Sequence, residues 1–158
     1  MAVRTYRKAN VADAAALSKL RGSEAGTCAL WEKRIAGYLR REHHPQKALN
    51  ERVIFLAEHR DGIIGFVAGH LTERYECDGE LQWIDVMPEY RRNGIASQLL
   101  RRLAEWFGNK KALRVCVDVS PDNVAGQGFY RRHGAKELNR HWLVWPDIRV
   151  VTTAAKHR

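Results

Sequence analysis

In a chain of 158 residues, 27 lysines and arginines face 18 aspartates and glutamates, a formal charge of +9. Its three cysteines, Cys28, Cys77 and Cys116, are widely spaced, with no CxxC and no His/Cys ligand spacing, so neither a disulfide framework nor a zinc site is indicated. No apolar run reaches the ~18–20 residues of a membrane span, and the cationic excess suits a polyanionic partner, either a phosphorylated cofactor or a nucleic acid.

In chain order, Val3 to Arg7 alternates and predicts a first strand. Asn10 can cap a helix through Asp13 to Leu20, with Val11, Ala14, Ala15, Leu17 and Leu20 as its apolar stripe. Gly22 and Gly26 are expected to break it, and a second helix is expected from Leu30 to Arg41. Val53 to Glu58 and Ile63 to Leu71 read as a hairpin around Arg60-Asp61-Gly62. Glu80 to Val86 is the next strand. A helix from Gly94 to Phe107 follows, with Ile95, Leu99, Leu103 and Phe107 on one face. Leu113 to Val119 alternates as a strand, and Ser120-Pro121-Asp122-Asn123 starts a short helix ending near Gly134. Leu138 to Trp145 supplies a last strand, with Ile148 to Val151 as a candidate partner. The order β-α-α-β-β-β-α-β-α-β is mixed α/β around one central sheet, and the length suits a single domain over residues 1–158.

The most informative run is Val86-Met87-Pro88-Glu89-Tyr90-Arg91-Arg92-Asn93-Gly94-Ile95-Ala96. A strand stops at a proline, a basic glycine-containing turn follows, and a helix begins. That order leaves free backbone N–H groups at a helix N-terminus beside arginines, a combination suited to phosphate. Gly94 allows close backbone approach, and Ala96 keeps the next turn low.

The spacing Arg91-x-x-Gly94-x-Ala96 after a strand ending Val-x-Pro resembles the acetyl-CoA signature of the GNAT superfamily of N-acetyltransferases. A second block, Asn123 followed by Tyr130 at +7 and Gly134 at +11, resembles that superfamily's downstream motif. The resemblance implies a central, mostly antiparallel sheet of about six or seven strands flanked by about four helices, with two middle parallel strands that splay apart. It implies acetyl-CoA as cosubstrate and no metal. The pantetheine arm is expected between the strands ending near Val86 and Val119, with backbone amides around Ile84, Asp85 and Val86 polarising the thioester carbonyl. The pyrophosphate is expected over Arg91 to Ser97, held by the N–H groups of Asn93, Gly94, Ile95 and Ala96, with Arg91 and Arg92 adding charge-assisted bonds. The family usually has alanine where Gly126 stands and often phenylalanine where Ala135 stands.

Acetyl transfer to an amine needs a proton acceptor, carbonyl polarisation and a proton for the departing thiolate. Tyr130, two helical turns from Asn123, is the candidate proton donor. Glu80, fourteen residues before Gly94, occupies the position where the histone-acetylating branch carries its general base. In a straight strand it lies about 13 Å from Ile84, so contact with the amine requires a bulge or a water relay. Asp85 and Asp118 sit nearer the expected thioester, on a face the pattern leaves open.

Glu73-Arg74-Tyr75-Glu76-Cys77-Asp78-Gly79-Glu80 holds four carboxylates in eight residues, and a negative patch beside the thioester would attract a cationic amine. The expected acceptor is therefore a small aminoglycoside- or polyamine-like molecule. The alternatives are a protein or peptide amine, or a non-catalytic acyl-CoA-binding protein of the same fold. Trp31 and Trp142 are candidates for lining the acceptor pocket. The basic pairs are scattered, and nothing resembles a recognition helix, which argues against nucleic acid. His43-His44 before Pro45 reads as a solvated loop pair. The resemblance admits a homodimer, and the N-terminus has no signal-peptide core, so a cytoplasmic, non-membrane protein is expected.

Overall fold

The computed structural model describes residues 5–22, 25–60 and 62–155. Among the described residues, seven strands form one sheet: β1 (Thr5–Lys8), β2 (Ala48–His59), β3 (Gly62–Thr72), β4 (Gly79–Val86), β5 (Val115–Asp118), β6 (Lys136–Asn139) and β7 (Trp142–Trp145). Five α-helices within the described residues join them: α1 (Ala14–Arg21), α2 (Ala25–Leu39), α3 (Ile95–Asn109), α4 (Val124–Arg132) and α5 (Arg149–Ala155). The strand order is β1-β2-β3-β4-β5-β7-β6. Every neighbouring pair is antiparallel except β4 and β5.

The helices cover both faces. On one, Ile95, Leu99, Leu103 and Phe107 of α3 are buried with Leu100 and Ala104 against the sheet, joined by Ile148 and Val151 beside α5. Each such side chain contributes about 1.5–3 kcal/mol by leaving water. Gly69 and Gly79 make that close seating possible. A Cβ on Gly69 would lie 2.7 Å from Leu103 Cδ1, and one on Gly79 would collide with the Phe107 ring. On the other face Leu17 of α1 and Ile35 and Tyr38 of α2 pack on Ile54, Leu56, Phe66 and Trp83.

Two features of β4 position the site. It pairs with β5 only from Gly79 to Leu81, opposite Val115 to Val117, and beyond that point the two parallel strands part. It also carries a bulge: Ala68 faces Trp83 while Gly69 faces Leu81, so Gln82 is an extra residue. The bulge reverses the alternation of side chains. Leu81, Ile84 and Val86 belong to the α3 side, whereas Glu80, Trp83 and Asp85 share the α1/α2 side. An unbulged strand would have placed Glu80 and Asp85 on opposite faces.

Several boundaries differ from the sequence reading. Asn10 does cap, accepting from the Ala12 N–H at 2.9 Å, but Val11–Asp13 is a 3₁₀ turn before α1. Gly26 does not break a helix: it lies in the first turn of α2, where an added Cβ would meet nothing within 4 Å, so it is tolerated there. β2 begins at Ala48, where the exposed stretch Leu49 to Glu51 leads into a bulged register that no apolar alternation announces. Part of the expected first strand, Val3 and Arg4, and the turn residue Asp61 lie outside the described residues, while His59 and Gly62 close the hairpin with Gly62 at φ 110°.

The C-terminal reading is corrected. Leu138 to Trp145 is a hairpin rather than one strand, turned by the Asn139 side chain, which accepts from the His141 N–H at 3.1 Å. Ile148 to Val151 does not pair as a strand; it enters α5, started by Asp147, whose carboxylate accepts from the Arg149 N–H at 3.0 Å. Its β-branched residues suggest a strand, but burial of Ile148 and Val151 against α3 decides for helix.

Candidate active site

A cleft of about 530 Å³ opens where β4 and β5 part. One wall is Ile84, Asp85 and Val86 of β4. The base is the turn with Tyr90, Arg91, Arg92 and Gly94 and the first turn of α3, Ile95 to Ser97. The facing wall is α4, through Asn123, Gly126, Phe129, Tyr130 and Arg132.

The base has the geometry of an anion site. Arg92 and Gly94 take left-handed backbone, at φ 66° and 76°. A Cβ on Gly94 would have nothing within 4 Å, so its glycine serves the backbone conformation and open approach. α3 has no side-chain cap, and Gln98 N–H to the Gly94 carbonyl, at 3.0 Å, is the start of its ladder. The N–H groups of Ile95, Ala96 and Ser97 therefore have no carbonyl a turn behind them. Asn93 does not line the cleft. Its side chain instead donates to the carbonyls of Tyr90 and Arg91, both at 3.1 Å, and holds the turn. Arg91 is exposed but tethered, its Nε donating to the Val86 carbonyl at 3.1 Å.

Along β4, the Met87 N–H donates to the Ile64 carbonyl of β3 at 2.8 Å. Alternation then directs the Val86 and Ile84 amides away from β3, into the gap left by β5. Asn123 caps α4 by accepting from the Gly126 N–H at 2.9 Å. A Cβ at residue 126 would lie 2.7 Å from Asn123 Nδ2, so glycine there lets the cap fold over. Tyr130 is buried, edge-on to Trp145 at 5.8 Å. Burial foremost, then the Asp85 charge, push its phenol well above the usual range, so it remains protonated at neutral pH.

Glu80 does not line this cleft. It is 4% exposed on the α1/α2 side, with Arg74 Nε at 3.0 Å and His70 Nε2 at 3.8 Å. Burial, opposed by Arg74, raises its carboxyl to about 7. His70 is fully buried, bonded through Nδ1 to the Tyr38 hydroxyl at 2.8 Å, and burial lowers it to about 3. Asp85, by contrast, reaches the cleft and the α1/α2 side together. Arg21 of α1 holds its carboxylate at 2.8 Å, and burial outweighs that pairing, raising its pKa.

The acidic run is divided. Glu73, Glu76 and Asp78 are exposed, with Asp78 accepting from the Arg114 N–H at 3.0 Å, and Glu80 turns inward. That connection enters β4 at the end opposite Val86, so the exposed carboxylates are not beside the cleft. The acidic groups nearer the parting strands are Glu80, Asp85 and the exposed Asp118 of β5. Trp31 packs edge-on to Trp83 at 5.5 Å, and Trp142 stacks under the Arg74 guanidinium at 4.7 Å. Sequence reasoning missed Arg21, Tyr38 and His70. Arg21 and Asp85 are 64 positions apart, and no local pattern links them.

Among the described residues no helix is long and apolar enough to cross a membrane, and no group of three or more His, Cys, Asp or Glu side chains could hold a metal.

A splayed parallel pair within an otherwise antiparallel sheet, with an uncapped helix at the mouth of the gap, defines the acyl-CoA-binding class of fold. The acetyltransferase (GNAT) family model matches residues 18–135, and the chain belongs to that family. An aminoglycoside N(6')-acetyltransferase type 1 of Salmonella typhimurium is 32% identical over 87 residues, 51% of this chain and 60% of that protein. The chain thus spans less than two thirds of that relative. PaiA N-acetyltransferase of Thermoplasma acidophilum, solved with coenzyme A, superposes with a TM-score of 0.72 at 19% identity, over 93% of this chain and 99% of that one. The 6'-N-acetyltransferase AAC(6')-IG of Acinetobacter haemolyticus gives 0.69 at 21% identity, over 85% and 92%.

Proposed function

We propose that the protein transfers acetyl from acetyl-CoA to a primary amine of a small cationic acceptor, by direct attack in a ternary complex. The observation that carries this reading is one cleft joining the unpaired stretch of β4, the open first turn of α3 and Tyr130. The amides of Ile95 to Ser97, with Arg91 and Arg92, bind the diphosphate. The Ile84 and Val86 amides stabilise the oxyanion formed when the amine nitrogen attacks the thioester carbonyl. As the carbon–sulfur bond breaks, Tyr130 gives its proton to the sulfur. One ammonium proton leaves through water to Glu80, whose pKa of about 7 suits a base at neutral pH. The second, released as the amide forms, restores Tyr130.

A cationic acceptor is supported by the carboxylates of Asp85 and Asp118 near the parting strands, and by relatives named aminoglycoside N(6')-acetyltransferases. Titration calorimetry with acetyl-CoA, on the wild type and on Gly94→Glu, tests the cofactor site. Thiol release with kanamycin, spermidine and a lysine peptide tests the acceptor. Binding unaffected by Gly94→Glu refutes the cofactor site, and turnover of the peptide alone refutes the small acceptor.

A further inference from the structure

Arg21 is held in an unusual place for a structural arginine. Its guanidinium carbon lies 4.4 Å from the centroid of Trp31 and 5.9 Å from that of Trp83. Its Nη1 donates to Asp85 Oδ2 at 2.8 Å. Two indole faces and a carboxylate make a seat for one organic cation. The fit is incomplete, because Arg21 Nε is buried without a hydrogen-bond partner. The side chain is still 24% exposed, so it has a route to solvent. Two other cations approach the seat: Arg34 stacks on Trp31 at 4.8 Å, and the Arg91 charge acts on Asp85. Asp85 also lines the cleft that contains Tyr130, which brings the seat to the reacting end of the cleft.

We infer that Arg21 is an internal stand-in for the acceptor: it occupies the Asp85–Trp31–Trp83 seat in the free protein, and the acceptor's ammonium or guanidinium group displaces it on binding. The inference rests on the amine-acetylation reading and specifies how its acceptor is recognised. Acceptor choice then depends on competition. A monocation must displace a tethered guanidinium unaided, whereas a polycation has further charges to engage the exposed Asp118 on the same side of the sheet. Arg21 thereby discriminates against simple amines while keeping Asp85 paired in the absence of acceptor.

The test is calorimetric titration of ethylguanidinium and of spermidine into wild type, Arg21→Ala and Arg21→Ala/Asp85→Asn, with folding checked by circular dichroism. Vacating the seat is expected to tighten ethylguanidinium binding at least tenfold in Arg21→Ala, with a smaller gain for spermidine. The gain is expected to vanish in the double variant. Equal affinity in wild type and Arg21→Ala overturns the inference, as does a gain that survives Asp85→Asn. Should Arg21→Ala fail to fold, Arg21→Gln keeps the stem and carries the same comparison. These titrations use no turnover, so absence of thiol release would count against the enzymatic reading while leaving the seat's occupancy separately decided.

Discussion

Glu80 and His70 are buried side by side with opposite proton preferences, and removing one should uncover the other. Burial holds the Glu80 carboxyl protonated up to about 7, against an ordinary value of 4.5. Burial holds His70 neutral down to about 3, against 6.5. Each pH unit of separation is worth about 1.4 kcal/mol. Glu80 is protonated more readily in the folded protein, so its contribution is present at low pH and about 3 kcal/mol is lost as pH rises from 4.5 to 7. His70 is protonated more readily in the unfolded chain, so its effect runs the other way: about 5 kcal/mol is lost as pH falls from 6.5 to 3. Between pH 4.5 and 6.5 the folded pair and the unfolded pair bind the same number of protons, and the two slopes cancel. Glu80→Gln keeps the shape and a partner for Arg74 but removes one slope. Its stability should then rise by about 3 kcal/mol from pH 4.5 to 6.5, relative to the wild type. Urea unfolding followed by tryptophan fluorescence at pH 4.5, 5.5 and 6.5 measures this. Identical pH dependence in the two proteins would refute the claim that the pair is buried as neutral acid and neutral imidazole.

Tyr130→Phe keeps the ring packing on Trp145 but removes the proposed proton donor. kcat should fall by about 100-fold or more, with little change in KM for acetyl-CoA, and an unchanged kcat would exclude the assigned role. Gly79→Ala forces a methyl into the Phe107 ring, and thermal unfolding should show a loss of about 1–3 kcal/mol. Gly126→Ala tests the cap on α4. Helix propensity alone predicts a gain of about 1 kcal/mol, but the new methyl meets Asn123 and loss of the cap costs about as much. No net stabilisation is expected, and a clear rise in melting temperature would show that the cap contributes nothing.

What could be read from the chain itself was local and periodic. The four-residue recurrence of Ile95, Leu99, Leu103 and Phe107 marks one helix face, and all four are buried together. The strand–turn–helix around Gly94 is written in consecutive residues, because a proline, a left-handed glycine and an uncapped helix start act within one or two turns. The order of strands and helices up to α4 follows from the same short-range preferences. The C-terminal segment departs from its local pattern because preference and packing disagree there: Val150, Val151 and Thr152 favour a strand in isolation, but as a helix the segment buries Ile148 and Val151 against α3.

The candidate site was legible only in its backbone half. The turn proposed to bind the diphosphate, Asn123 and Tyr130 are sequence-local, and they line one cleft with Ile84, Asp85 and Val86. The half proposed to take the acceptor depends on Gln82, an ordinary residue made a bulge by the register of β3 against β4. That extra residue turns Glu80 and Asp85 to the same side, toward His70 and Arg21, which come from other elements. Period and capping are properties of neighbouring residues and so belong to the sequence. Register and the meeting of distant charges are settled only when the sheet and its two helical layers pack together.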